Sequence, residues 1–139
     1  MPCYIVREQD AKKLAHVEIF GTVNEKVHLS QAIKSPISHH MTAGYIRLDA
    51  GYQRYIESPV DEVDLFLEGT LTYSSESESF TARTGDIVFI PKGTKATFST
   101  EEGCTAFYVT YPLLQETLDE IARTMQERLK FLHDPAHES

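Results

Sequence analysis

Two carboxylates separated by a single residue, Glu62 and Asp64, stand in the stretch Glu62 to Leu67, whose apolar and β-branched composition reads as a strand. Side chains two positions apart on a strand point the same way, about 6.5 Å apart along it, so these acids share one face. In a low-dielectric pocket such a pair titrates apart, one acid raised and protonated, the other ionised. That suits a general acid working beside a general base. Glu57 is positioned to join them from the preceding loop. The alternative is a pair satisfied by tyrosine, arginine or backbone donors, for example Arg47 or Arg54, which only holds the fold together. Both readings stay open, although two buried acids without a use are costly.

Tyr45, Tyr52, Tyr55, Tyr73 and Tyr108 each combine a ring that can line a pocket with a hydroxyl that can bond a ligand. The candidate ligand contacts are Tyr45, Arg47, Tyr55, Phe66, Phe98 and Tyr108. Lys92 falls in a turn and is expected to be exposed. Cys104 follows Gly103 with no adjacent histidine to activate it, which argues against a nucleophile. His39 and His40 are neighbours, so on a strand at most one of them enters a pocket. His16, His28, His133 and His137 have no ligand spacing, and no Cys/His cluster matches a zinc site.

These side chains need a β framework. Thr42 to Asp49, Glu62 to Leu67, Leu71 to Tyr73, Asp86 to Ile90, Ala96 to Ser99 and Thr105 to Tyr111 read as short strands, punctuated by Gly51, Gly69, Gly85, Pro91-Lys92-Gly93 and Gly103. Such spacing without intervening helices indicates an antiparallel sandwich or barrel. Ser74 to Ser79 alternates serine and glutamate and reads as a solvated hairpin tip, with a phosphorylation cluster as the alternative. After Pro112, Leu114, Leu118, Ile121, Met125, Leu129 and Leu132 draw one apolar stripe on a helix running to about Phe131. The organisation expected is a β-barrel domain over 1–111, a helix over 112–132 packed on the barrel or a partner, and a loose tail over 133–139.

At 139 residues the chain suits one domain with a core that needs no disulfide. Thirteen basic against twenty-one acidic side chains give a net charge of −8, which argues against nucleic-acid or anionic-membrane partners. No apolar run is long enough to span a membrane, and Cys3 to Val6 is no signal-peptide core. Two cysteines favour a reducing, cytoplasmic setting.

The segment Asp61-Glu62-Val63-Asp64-Leu65-Phe66-Leu67-Glu68-Gly69, followed by Gly85-Asp86-Ile87-Val88-Phe89-Ile90-Pro91-Lys92-Gly93, resembles the two signature motifs of the cupin superfamily. The glycine and proline skeleton is intact across roughly residues 42 to 111. Within cupins it looks most like the EutQ-type ethanolamine-utilisation proteins, and Tyr108 to Pro112 fits that type. The resemblance implies a small antiparallel β-barrel or jelly roll (RmlC-like), usually a dimer, with Glu62 facing the interior. Metal-binding cupins use three histidines and a glutamate. Here the histidine positions fall on Ile56 and Ser58, or on Tyr55 and Glu57 if the loop slides by one, and on Ala96, with Thr100 at the terminal asparagine. Only Glu62 survives, so the resemblance implies no metal and no cofactor.

The function expected is binding of a small organic molecule in the barrel, with metal-independent proton-transfer chemistry of an isomerase, lyase, dehydratase or cyclase. The other readings are an accessory EutQ-like protein of ethanolamine or acetate metabolism, and a metal cupin with rearranged ligands drawn from His39 or His40. A homodimer is expected, since sheet edges and the apolar stripe both need cover.

Overall fold

Burial alternates along most of the chain with the period of a pleated strand. In the segment Cys104–Tyr111, for instance, every second residue is buried. The computed structural model describes residues 3–19 and 22–132. In chain order it contains α1 (Glu8–Ala11), β1 (Glu18–Ile19), β2 (Thr22–Val23), β3 (Val27–Leu29), β4 (Thr42–Leu48), β5 (Gln53–Glu57), β6 (Asp61–Gly69), β7 (Leu71–Ser74), β8 (Ser79–Ala82), β9 (Ile87–Ile90), β10 (Lys95–Ser99), β11 (Cys104–Tyr111) and α2 (Leu114–Leu132). A five-stranded antiparallel sheet in the order β3-β4-β11-β6-β9 faces a four-stranded one in the order β5-β10-β7-β8. No ladder joins these two sheets among the described residues, so the fold is a jelly-roll sandwich and not a closed barrel.

The chain changes sheets at Gly69, between β6 and β7. There φ is +75°, and a side chain would run into the Gly103 carbonyl, so glycine is required twice over. Phe66, Tyr73, Phe98, Leu48, Leu71, Val88 and Ile90 form the apolar core between the sheets. Burying an aromatic such as Phe66 contributes ~2–3 kcal/mol.

Helix α1 and strands β1, β2, β3, β5 and β8 are additions to the sequence reading. Gln53-Arg54-Tyr55-Ile56-Glu57 is too polar to announce a strand, because β5 is a sheet edge that buries only one face. The serine-rich stretch forms a hairpin tip, closed by Ser75 N donating to Glu78 O at 2.8 Å. Helix α2 starts where Leu114 N donates to Thr42 Oγ1 at 2.9 Å, and Leu118 seats it on the sandwich. The tail 133–139 lies outside the described residues. Among those described, no helix is long and apolar enough to cross a membrane.

Gly44 sits where β4 passes tightest against Ser30. A Cβ there would overlap the Ser30 carbonyl, which cannot retreat because Tyr108 Oη donates to it and Ser30 N and Oγ are bonded to the Tyr45 backbone. Gly44→Ala is therefore expected to cost about 2 kcal/mol or more in urea unfolding, the range of overpacked cores. An unchanged midpoint would contradict this packing.

Candidate functional site

The inward face of the five-stranded sheet is a lattice of cross-strand rows. One row runs Gly44, Tyr108, Asp64, Val88, and the next runs Thr42, Thr110, Glu62, Ile90. Because β6 is a continuous strand, Glu62 and Asp64 take successive inward positions and Val63 and Leu65 point out. The rows face the four-stranded sheet across a cavity of about 870 Å³. Apolar and aromatic side chains dominate its walls, among them Phe66, Leu71, Phe98, Ile46 and Leu48. Leu114, Leu118, Ile121 and Met125 of α2 border the same cavity.

Asp64 is buried, with 4% of its surface exposed, and Tyr73 Oη reaches its Oδ2 from the opposite sheet at 3.4 Å. Its other oxygen, Oδ1, is buried and without a donor if both acids are ionised. The Glu62 carboxyl lies within hydrogen-bonding reach. A proton on Glu62 resolves the vacancy, because a protonated carboxyl can donate to Oδ1. Electrostatics point the same way. Burial, then the adjacent Asp64 charge, hold the Glu62 carboxyl well above the usual carboxylate range. Burial also pushes Asp64 up, to about 6, against the lowering effect of the bonds from Glu62 and Tyr73. Glu62 is half-buried by surface area and lines the cavity. Both shifts run in the direction that favours keeping a proton on the pair. It can give a proton from Glu62 or take one on Asp64, beside an apolar space large enough for a small molecule.

Phe66, Phe98 and Tyr108 lie on the cavity wall. Tyr108 spends its hydroxyl on the Ser30 carbonyl, so it offers a ligand only its ring. Tyr45 and Arg47 do not reach the cavity, which corrects the sequence assignment. Both occupy outward positions of β4, where Tyr45 meets Phe107 and the Lys12 ammonium 5.3 Å from its ring centre, and Arg47 pairs with Asp49 at 3.5 Å. The inward positions of that strand belong to Gly44 and Ile46. Tyr55 and Glu57 border the cavity from the exposed positions of β5, Tyr55 being 64% exposed. Glu57 ends a strand and does not sit in a loop, and it borders the same cavity as the pair. Of the five pocket tyrosines the sequence offered, Tyr73 is the one that bonds Asp64, and Arg54, offered there as a donor to the acids, lines the cavity from the inward side of β5. The sequence does not single out Tyr73 among the five, because its partner lies on the facing sheet.

The places of a cupin metal box hold unsuitable groups. Ile56 faces the cavity, Ala96 is core, Ser58 Oγ donates to Val60 O at 2.7 Å, and Thr100 Oγ1 accepts from Gly103 N at 2.9 Å. His39 and His40 are exposed in a bend away from the cavity, and His28 bonds Asp49 at 2.8 Å. Among the described residues no three His, Cys, Asp or Glu side chains gather as a metal site. One shared carboxyl pair with a tyrosine does not fit a transition metal. Burial, then the Asp64 charge, raise the Cys104 thiol to about 11, which disfavours the thiolate a nucleophile needs.

Residues 10–116 match the family model described as ethanolamine utilisation protein EutQ. The chain is 33% identical over 86 residues to the acetate kinase EutQ of Salmonella typhimurium, a match covering 62% of this chain and 37% of that one. It thus spans well under half the length of that curated relative. The solved EutQ protein of Clostridium difficile superposes with a TM-score of 0.59 at 27% identity, over 63% of this chain and 64% of that one. An RmlC-like cupin from Shewanella frigidimarina gives a TM-score of 0.59 at 14% identity, over 76% and 89% of the two chains, a likeness of fold alone.

The raised acidities fix a sign for stability against pH. The folded pair holds a proton that the unfolded chain releases, so its contribution is full below about pH 4 and is lost as pH rises through 6 and beyond. For Asp64, a rise from 3.8 to about 6 corresponds to ~3 kcal/mol. Between pH 4.5 and 8, wild type should lose stability relative to the Glu62→Gln/Asp64→Asn double variant. Parallel urea-derived profiles would refute the retained proton.

Proposed function

Because the chain belongs to the EutQ family and has the cupin fold, we propose that it binds a small organic molecule in the sandwich cavity and moves a proton on it without a metal. The reactions within reach of such a site are those of an isomerase, lyase, dehydratase or cyclase. One observation carries this reading: two adjacent acids, Glu62 held well above its usual range and Asp64 lacking a donor on Oδ1, at the wall of an apolar cavity of about 870 Å³. Glu62 donates to a ligand oxygen or carbon while Asp64 accepts from a neighbouring position.

The test is turnover in a small-molecule extract, read by mass spectrometry in heavy water. Wild type should consume or deuterate at least one compound, and Glu62→Gln should slow that by roughly 10²-fold or more. Its melting temperature should hold, because glutamine still donates to Asp64. A fully active Glu62→Gln protein would overturn the acid–base role. Dialysis against a chelator should leave the rate unchanged.

The name of the Salmonella relative supports a second reading, acetate phosphorylation within ethanolamine or acetate metabolism. No glycine-rich phosphate loop in the chain favours it. Acetyl hydroxamate formation from ATP and acetate by the purified chain would select that reading.

The proposal includes a homodimer. The outer side of β6, β9 and β11 exposes Val63, Leu65, Leu67, Ile87, Phe89 and Phe107, so the five-stranded sheet is apolar on both faces. An apolar patch of this kind suits a second copy of itself, through a two-fold contact. Light scattering at micromolar concentration should give twice the chain mass, and a monomer would overturn the claim.

A further inference from the structure

Arg54 stands on the cavity wall across from the carboxyl pair. On β5 it pairs with Phe98 of β10, and Phe98 pairs with Tyr73, the donor to Asp64. The guanidinium belongs to a half-buried residue beside Tyr52, whose hydroxyl feels its charge. Among the described residues no carboxylate forms an ion pair with it and no acceptor bonds its side chain. In a chain with 21 acidic and 13 basic side chains, a half-buried cation left without a counter-charge is unexpected. The nearby candidates are engaged elsewhere. Asp49 is held by His28 at 2.8 Å and Arg47 at 3.5 Å, and the Glu62–Asp64 pair answers to burial, to its own members and to Tyr73.

Further out, Lys92 and Arg128 border the cavity, as do the acids Glu57 and Glu120, so the rim is balanced and Arg54 is the cation inside it with no ion-pair partner. A planar fork of donors in a partly dry site matches a carboxylate in two-point contact. Between that fork and the acid pair the wall is apolar and aromatic, with Phe98, Phe66 and Ile56. We infer that the cavity takes a monoanionic amphipathic molecule, a carboxylate on an apolar or aromatic body, with the carboxylate on Arg54 and the far end against Glu62 and Asp64. This names the ligand class for the small-molecule site proposed above and rests on that reading.

A matched pair of probes separates charge from shape: 2-naphthoate and its neutral isostere 2-naphthamide, titrated calorimetrically into the full chain. Wild type should bind the acid at least about tenfold more tightly, the worth of one charge-assisted contact. Arg54→Met should bring the acid down to the affinity of the amide and leave the amide unchanged, and Arg54→Lys should keep part of the preference. Circular dichroism melting of each variant verifies its fold. Equal affinities in wild type, no binding of either probe, or an equal loss of both in Arg54→Met would overturn the inference. Glu62→Gln should still prefer the acid. If it does while turnover is absent from wild type, the acid–base reading fails and the ligand class stands. Turnover that persists without the naphthoate preference rejects the ligand class alone.

Discussion

Two adjacent acids that favour keeping a proton are the constraint around which the interior is arranged. Glu62 and Asp64 face a space walled by Phe66, Leu71 and Phe98, where two full negative charges side by side cannot be sustained. A proton on Glu62 relieves the repulsion and supplies the donor that Asp64 Oδ1 lacks. Tyr73 completes the shell from the other sheet, so a polar tie crosses the sandwich at its apolar middle. Satisfied polar groups in such a place select one alignment of the two sheets, since a shift of either would strand a buried acid.

The same physics explains how a framework suited to metal can host acid–base chemistry. Imidazoles at the positions of Ile56 and Ala96 would make the cavity polar and give Glu62 a cation to bind. Isoleucine and alanine there lower the local dielectric response and leave the carboxyl pair to itself. The rise in both acidities follows from that substitution of environment as much as from the acids.

Helix α2 joins the site to the surface. Its start is fixed by Thr42, which stands in the same cross-strand row as Glu62, and its apolar stripe passes over the cavity before running into solvent at Met125, Leu129 and Leu132. Closing the mouth and covering the exposed stripe are separate tasks for one helix, and its first turns take the former.

The sequence by itself determined the antiparallel β framework, the helix after Pro112 and the pairing of Glu62 with Asp64 on one face. Each of these depends on local periodicity, and a strand's period of two states which residues share a side. It also located the hairpin tip at Ser74 to Ser79, because turn chemistry is local. Which side meets the core was decided by the tertiary structure. In β4 apolar or aromatic residues occupy both faces, so Tyr45 and Ile46 are equal claimants until Gly44 is drawn against Ser30 and fixes the parity. In β5 the inward place goes to Arg54 and not to Tyr55, because strand β10 sets the register and a polar edge strand carries no period of its own. The partnership of Tyr73 with Asp64 spans two sheets, and contacts between sheets leave no trace in residue spacing.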